Sequence, residues 1–330
     1  MSTDAFRYAA PTGRLPHGIT NVAPNLSRYA SLTTTVPKEL VHRAAVAEVL
    51  LTGWERLDDT LFAVAAQWPR SHSFFTPVNG THYDPLMVAE TIRQVGSLIA
   101  HAEFDVPLGH QFLMRDLEVA VHPQHLRVEG IPASLDIEIT YTDVKQRRHG
   151  HAGAHYETVI RRAGHVVAVG SATYTCVTPE IYQRVRGRSG ECGQLQLTAP
   201  VSPQSVGRMS PMDVVLSPLE EAADRWQLRV DARHPVLFDH PVDHVPGMVL
   251  IEAARQAATA VLNQSSMSKN PFLPTRIVSE FQRYAELDSP CVVEAQPVPA
   301  GPDEGLVLVT GSQNGEPLFR TTVACSSVDL

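Results

Sequence analysis

The chain has 330 residues, 43% hydrophobic and 19% charged, with a net charge of −8. That length favours two compact units over one, and the acidic balance argues against a nucleic-acid partner, whose binding domains are usually basic. Four scattered cysteines (Cys176, Cys192, Cys291, Cys325) without a C-x-x-C pair, an N-terminus without signal-peptide character and no run of ~18 apolar residues point to a reducing, cytoplasmic setting with neither a cysteine zinc site nor a membrane span.

In chain order, residues 1–30 read as an N-terminal extension and residues 31–182 as a first unit. Within it, EVLLTGWERLDDTLFAVAAQWP (Glu48–Pro69) reads as two strands around a turn near Asp58-Asp59. In HSFFTPVNGTHYDPLMVAETIRQVGSLIAH (His72–His101), Asp84-Pro85 opens a long helix, since proline suits a first turn where its missing N–H is not needed. LDIEITYTDV (Leu135–Val144) and HVVAVGSATYTCV (His165–Val177) alternate as strands do. The Gly- and Arg-rich QRVRGRSGECGQ (Gln183–Gln194) begins a linker set at 183–210, and a second unit fills 211–330. There DVVLSPLEEAADRWQLRVDARHP (Asp213–Pro235) repeats the strand–turn–strand plan. HPVLFDHPVDHVPGMVLIEAARQAATAVL (His234–Leu262) repeats the loop and helix. CVVEAQPV (Cys291–Val298) and GLVLVTGSQ (Gly305–Gln313) are strands, the latter joined to PLFRTTVAC by Asn314-Gly315, a two-residue hairpin turn in which both residues tolerate positive φ.

The two loop–helix stretches superpose without a gap at a shift of 162. His72 meets His234, His82 meets His244, Glu90 meets Glu252, Arg93 meets Arg255 and Gln94 meets Gln256. Five polar matches in one register indicate duplication. Each unit is thus one long helix, apolar on nearly all sides and therefore central, with strands before and after it. One buried helix wrapped by an antiparallel sheet is the hot-dog architecture, and two in tandem make an α+β double hot-dog.

Glu252, Arg255 and Gln256 lie three and four residues apart and share a helix face. An unpaired buried carboxylate is very costly and a buried ion pair roughly neutral. The triad therefore reads either as a structural pair locking the two helices or as a functional group, and its duplication beside histidine-rich loops favours function. The loop HPVLFDHPVDH carries His234, His240 and His244 at spacings that fit no standard metal-ligand pattern, so these histidines read as a general base or as hydrogen-bonding groups. KQRRHGH (Lys145–His151) reads as a solvated turn, or as a dock for an acidic partner; the linker arginines Arg184, Arg186 and Arg188 are read with the same caution.

The run DHPVDHVPGMVLIEAARQA (Asp239–Ala257) resembles the signature of hot-dog 3-hydroxyacyl-carrier-protein dehydratases, with Glu252 in place of the catalytic Glu and His240 nearest to the catalytic His. Asp239 replaces a glycine, the loop is two residues shorter and Arg255 stands where those enzymes carry a small residue. Much longer strings, VPKELVHRAAVAEVLLTGWERLDDTLFAVAAQWPRSHSFF, both Glu-x-x-Arg-Gln helices and LFDHPVDHVPGMVLIEAARQA, resemble the A-factor biosynthesis (AfsA-type) family of actinomycetes. That resemblance implies a γ-butyrolactone-type synthase moving a β-ketoacyl group from acyl-carrier protein to the hydroxyl of dihydroxyacetone phosphate, followed by closure to a butenolide phosphate. It needs no cofactor beyond the carrier's phosphopantetheine, nucleic acid or membrane, and suits a monomeric pseudo-dimer or a homodimer.

On this reading Glu252 is the general base, its pKa raised by an apolar surround. Arg255 or Arg93 binds the phosphate. Glu90 serves a second pocket or holds Arg255, and His240 joins the catalytic group. Gln256, Gln94 and His244 bind substrate, while the N–H groups near Gly247 and Met248 receive the thioester carbonyl. Met248, Phe238 and Phe75 set pocket depth. No Gly-x-Ser-x-Gly elbow is present, and no Cys lies beside the helix motifs, so direct transfer is simpler than an acyl-enzyme. The alternatives are a dehydratase or thioesterase of the same fold and a non-catalytic binder of acyl or butyrolactone ligands.

Overall fold

The computed structural model describes residues 33–147, 150–187, 195–219, 224–265, 272–299 and 304–327. The N-terminal extension therefore lies outside the described residues. The first repeat comprises β1 (Leu51–Arg56), β2 (Leu61–Trp68), α1 (Pro85–Ala102), β3 (Gln111–Val121), β4 (Ala133–Arg147), β5 (Gly150–Arg162) and β6 (His165–Val177). A short α2 (Pro179–Arg186) leads out of it. The second repeat comprises β7 (Leu216–Pro218), β8 (Arg225–Leu228), α3 (Gly247–Ser265), β9 (Phe272–Phe281), β10 (Cys291–Val298), β11 (Glu304–Gln313) and β12 (Glu316–Ser327).

All twelve strands join one antiparallel sheet in the order β1-β2-β4-β5-β6-β3-β9-β12-β11-β10-β8-β7. Read from the middle outward, the two halves run through equivalent strands. The junction is β3 against β9, with Leu117 opposite Ser279 and Val119 opposite Ile277. The sheet is thus continuous across a pseudo-twofold axis, and each half curls around its own helix. This is the expected α+β double hot-dog.

Helix α1 starts where Asp84 accepts a hydrogen bond from the Leu86 N–H (2.9 Å) with Pro85 behind it, as an N-cap should. Of its 18 residues only Arg93 and Ala102 are not buried. Leu86, Met87, Ile92, Leu98 and Ile99 are wholly covered, each such side chain contributing roughly 1.5–3 kcal/mol of apolar burial. Helix α3 does the same with smaller residues, Val249, Ala253, Ala254, Ala257 and Ala258. The hairpin turn is as read, with φ of 53° at Asn314 and 80° at Gly315.

The segment before each helix repeats as well, at a shift of 165. The Val36 N–H donates to Leu51 O and the Val201 N–H to Leu216 O, both at 3.0 Å. Two 3-10 turns, Lys38–Val41 and Pro203–Val206, end in left-handed residues, His42 (φ 52°) and Gly207 (φ 68°). We propose on these correspondences that the second repeat begins near Val201, inside the stretch read as linker. Of the linker arginines, Arg184 is exposed and Arg186 is buried against Asp243 and Glu286, while Arg188 lies outside the described residues.

Candidate active site

The polar residues of the two central helices form two matching clusters. In the first, the Glu90 carboxylate accepts from Arg43 Nε (3.0 Å), from Arg93 Nε and Nη2 (2.9 and 2.7 Å) and from Gln94 Nε2 (2.6 Å); Arg43 Nη2 adds a contact at 2.7 Å. In the second, Glu252 accepts from Arg208 Nε and Nη2 (both 2.7 Å), from Arg255 Nε and Nη2 (both 2.8 Å) and from Gln256 Nε2 (2.5 Å). Both glutamines are fixed further. Gln94 donates to Glu48 O and accepts from Leu50 N–H, while Gln256 donates to Asp213 O and accepts from Val215 N–H. His72 and His234 also match, each accepting two backbone N–H bonds at Nδ1 and meeting Glu48 or Asp213 through Nε2.

These contacts reverse the expected electrostatics of Glu252. Burial alone would raise its pKa, but Arg208 and Arg255, by charge and hydrogen bonds, overcome burial and hold it at about 2. Arg43 and Arg93 do the same for Glu90, also at about 2. A wholly covered carboxylate whose two oxygens are already engaged by two guanidiniums and an amide has no reach to a substrate proton, so the geometry speaks against Glu252 as the general base. Nor does Glu90 hold Arg255, because each glutamate pairs with arginines of its own repeat.

Stability should follow these groups. Both carboxylates have an ordinary value of 4.5, so what their pairing contributes is intact above that pH and lost as pH falls towards 2. Burial also keeps His42 and His151 neutral down to about 3 and 4, against an ordinary 6.5, so their contribution begins to fall below 6.5. The thermal midpoint is therefore expected to decline gently from about pH 6.5 and steeply below 4.5. Circular-dichroism melts at pH 7, 5 and 3 check this, and equal midpoints at 7 and 3 would contradict it.

The two clusters differ in what surrounds them. Arg208 spends its remaining nitrogen, Nη1, on Phe74 O (2.8 Å) and Asp84 Oδ2 (3.1 Å), and its side chain is 1% exposed. Two guanidiniums there face two carboxylates in a closed core. At the position of Asp84 the second repeat has Pro246, so among the described residues Arg43 Nη1 meets only Val236 O (3.1 Å) and the two guanidiniums share the carboxylate of Glu90. Asp239 lies nearby but is turned to the backbone N–H groups of Ala44 and Ala45.

Over this first cluster lies a cavity of about 240 Å³. Arg43 and Arg93, with the Asp239 carboxylate nearby, supply its charged end, and neutral His42 stands beside them. Phe112, Met114, Tyr156 and Tyr174 from the first repeat's sheet and Phe75, Val236, Leu237, Met248 and Ile251 supply apolar walls. His240, His244, Gly247 and Met248 enter from the second repeat, so both halves build one cavity.

His244 is held by a network. Its Nδ1 bonds Asp243 Oδ1 at 2.7 Å, and Asp243 is in turn bound by Tyr182 (2.7 Å) and Arg186 (3.0 Å). Arg186 makes a two-pronged contact with Glu286 and stacks on Tyr284. A carboxylate on Nδ1 leaves the His244 Nε2 lone pair for the cavity. His240 is more loosely placed, 44% exposed with Asp239 at 3.4 Å.

Of the residues expected from sequence, the structure brings Arg93, His240, His244, Gly247 and Met248 to the cavity. Glu90, Gln94, Glu252, Arg255 and Gln256 lie behind it or in the other half, where their mutual bonds satisfy them. Phe75 and Met248 line the cavity, whereas Phe238 does not. Arg43 and His42 were missed. Their signal is present in VHRAAVAE (Val41–Glu48) and VGRMSPMD (Val206–Asp213), which align only at the shift of 165.

Among the described residues no cluster of three His, Cys, Asp or Glu side chains is placed to hold a metal ion. Likewise, no helix among them is long and apolar enough to cross a membrane.

The A-factor biosynthesis hotdog domain matches residues 25–178 and 192–329 of the chain. A 2-oxo-3-(phosphooxy)propyl 3-oxoalkanoate synthase of Streptomyces virginiae is 53% identical over 295 residues, covering 88% of this chain and 98% of that protein. A synthase of the same description from Streptomyces coelicolor is 41% identical, covering 92% and 96%. Among solved structures, a 12:0-ACP thioesterase from Umbellularia californica aligns with a TM-score of 0.50 at 10% identity, over 81% of this chain and 94% of that one, a likeness of fold alone. The matched domain spans both repeats and the alignments cover 98% and 96% of the two relatives, so the chain belongs to the A-factor biosynthesis hotdog family.

Proposed function

We propose that the chain is a cytoplasmic acyltransferase that moves a β-ketoacyl group from an acyl-carrier-protein thioester to the hydroxyl of dihydroxyacetone phosphate. The product is a 2-oxo-3-(phosphooxy)propyl 3-oxoalkanoate, able to close by internal condensation to a butenolide phosphate. The observation that carries this reading is the pairing of a guanidinium surplus with apolar walls in one cavity.

The phosphate seats on Arg93 and Arg43, whose charge, among the described residues, Glu90 alone offsets by direct contact. The acyl chain runs along Phe75, Phe112, Met114 and Met248. The thioester carbonyl points at the first N–H groups of α3, at Gly247 and Met248, which have no intrahelical acceptor and favour developing negative charge. His240 and His244 hydrogen-bond the polar end of the substrates. The thiols of Cys176, Cys291 and Cys325 are buried and pushed up to about 12, which favours direct transfer over a cysteine acyl-enzyme. Both repeats supply one cavity, so the reaction needs one chain.

The basic stretch Lys145–His151 is the candidate dock for an acidic carrier protein. Lys145 there is exposed with Asp143 at 3.5 Å, while Arg148 and His149 lie outside the described residues. Mass spectrometry of the purified protein with a β-ketoacyl carrier protein should detect the phosphorylated ester or its butenolide only when dihydroxyacetone phosphate is present. Free acid formed equally without the triose phosphate would make the protein a thioesterase. Absence of any turnover would make it a binding protein.

A further inference from the structure

We propose that His42 is the general base of this cavity and that His101 is the residue that positions it; the assignment rests on the acyl-transfer reading above. His42 lies between Val41, whose carbonyl accepts from Arg93 Nη2 at 2.9 Å, and Arg43, which clamps Glu90. Its ring is therefore anchored beside the phosphate end of the cavity that it lines.

The hydrogen bonds fix its tautomer. A carbonyl can only accept, so the 2.6 Å contact between His101 Nδ1 and Val106 O places a proton on that nitrogen. Burial keeps His101 neutral, so its Nε2 carries a lone pair. The 2.7 Å contact between His101 Nε2 and His42 Nε2 then requires the proton to sit on His42, leaving His42 Nδ1 as a bare base. That nitrogen makes no hydrogen bond to protein among the described residues. Around the ring stand Arg93 and His101 from α1, Arg43 next in the chain, His240 from the second repeat's loop and Phe112 from β3.

The duplication separates function from scaffold here. The counterpart of His42 is Gly207, in the same left-handed turn, and the counterpart of His101 is Asn263. Glycine is what that backbone prefers, and a histidine with φ 52° is held there against strain. His82 and His244 occur in both repeats and do not distinguish them. The His42–His101 pair occurs only in the repeat whose arginines face the cavity.

In the step proposed, the triose hydroxyl gives its proton to His42 Nδ1 as its oxygen bonds the thioester carbonyl carbon. The tetrahedral oxyanion collapses, the C–S bond breaks, and the protonated His42 returns the proton to the departing thiolate. Burial is the first cause that disfavours a protonated His42 and the Arg93 charge the second; a phosphate dianion on Arg93 offsets the second, so the base strengthens when substrate binds.

The test replaces each residue by its counterpart. His42→Gly and His101→Asn are assayed in the full chain with a β-ketoacyl N-acetylcysteamine thioester and dihydroxyacetone phosphate, the ester being read by mass spectrometry. His42→Gly is expected to stay folded, to lose roughly 10²–10⁴-fold in kcat with KM for the triose phosphate little changed, and to recover part of the rate with added imidazole. His101→Asn is expected to lose about 10-fold and to shift the acidic limb of the pH–rate profile. His42→Asn, which also tolerates the left-handed turn, guards against a folding defect. Turnover by His42→Gly within a few-fold of wild type, or a loss that imidazole does not relieve in both folded variants, overturns the assignment. Wild-type protein that yields free acid and no ester overturns the acyl-transfer reading instead.

Discussion

Glu252→Ala is expected to cost about 3–5 kcal/mol of unfolding free energy, the cost of breaking a buried ion pair by removing one partner. Its carboxylate is wholly covered and accepts two hydrogen bonds from Arg208, two from Arg255 and one from Gln256. Without it, Arg208 keeps Asp84 and Phe74 O, while among the described residues Arg255 keeps only Val206 O at 3.2 Å. Two buried guanidiniums then face one carboxylate, and their burial leaves the excess charge poorly solvated. Domains are stable by only about 5–15 kcal/mol in total, so little folded protein would remain. Glu252→Gln keeps the shape and one acceptor and should fall between the two. Urea titrations at pH 7 measure all three proteins. A Glu252→Ala protein within about 1 kcal/mol of wild type that nonetheless loses turnover would restore the role of general base to Glu252.

The sequence carried the architecture because the repeats keep one ungapped register through loop and helix, where buried positions tolerate no insertion. Glu90, Arg93 and Gln94 meeting Glu252, Arg255 and Gln256 could be read by subtraction alone. The partners of those residues could not. Arg43 and Arg208 lie upstream of a three-residue length difference, so neither was seen to complete a cluster, and the glutamates looked available for chemistry. With both arginines in place the helix triads become scaffold, and the burial that suggested a raised pKa is outweighed.

The junction strands were hidden for a different reason. In β3 the alternation breaks where the register shifts between Met114 and Asp116, and β9 carries Pro274 opposite a shift between Ala324 and Cys325. Proline inside a strand signals an edge or a bulge, yet β9 lies at the centre of the sheet. The decisive asymmetry was visible but mute. Asp84 and Pro246 fall in one register, and only Arg208 gives that difference a meaning: it closes one half and leaves a charge surplus in the other.

That asymmetry sets the sharpest test of which half works. Arg93→Ala is expected to raise KM for dihydroxyacetone phosphate by roughly 10- to 100-fold, the worth of a charge-assisted hydrogen bond to phosphate. Glu90 would keep both of its contacts to Arg43 (3.0 and 2.7 Å), so the fold should survive. Arg255→Ala removes the same chemical group from the other cluster, where Glu252 and Asp84 would be left with Arg208 alone. Arg208, Glu252, Arg255 and Gln256 do not line the 240 Å³ cavity, so stability should fall while KM for the triose phosphate in the surviving folded protein stays near wild type. Triose-phosphate titrations of initial rate, paired with urea unfolding of each variant, separate the two effects. Equal increases in KM would mean that both halves bind substrate, and a Km effect confined to Arg255→Ala would move the site to the second repeat.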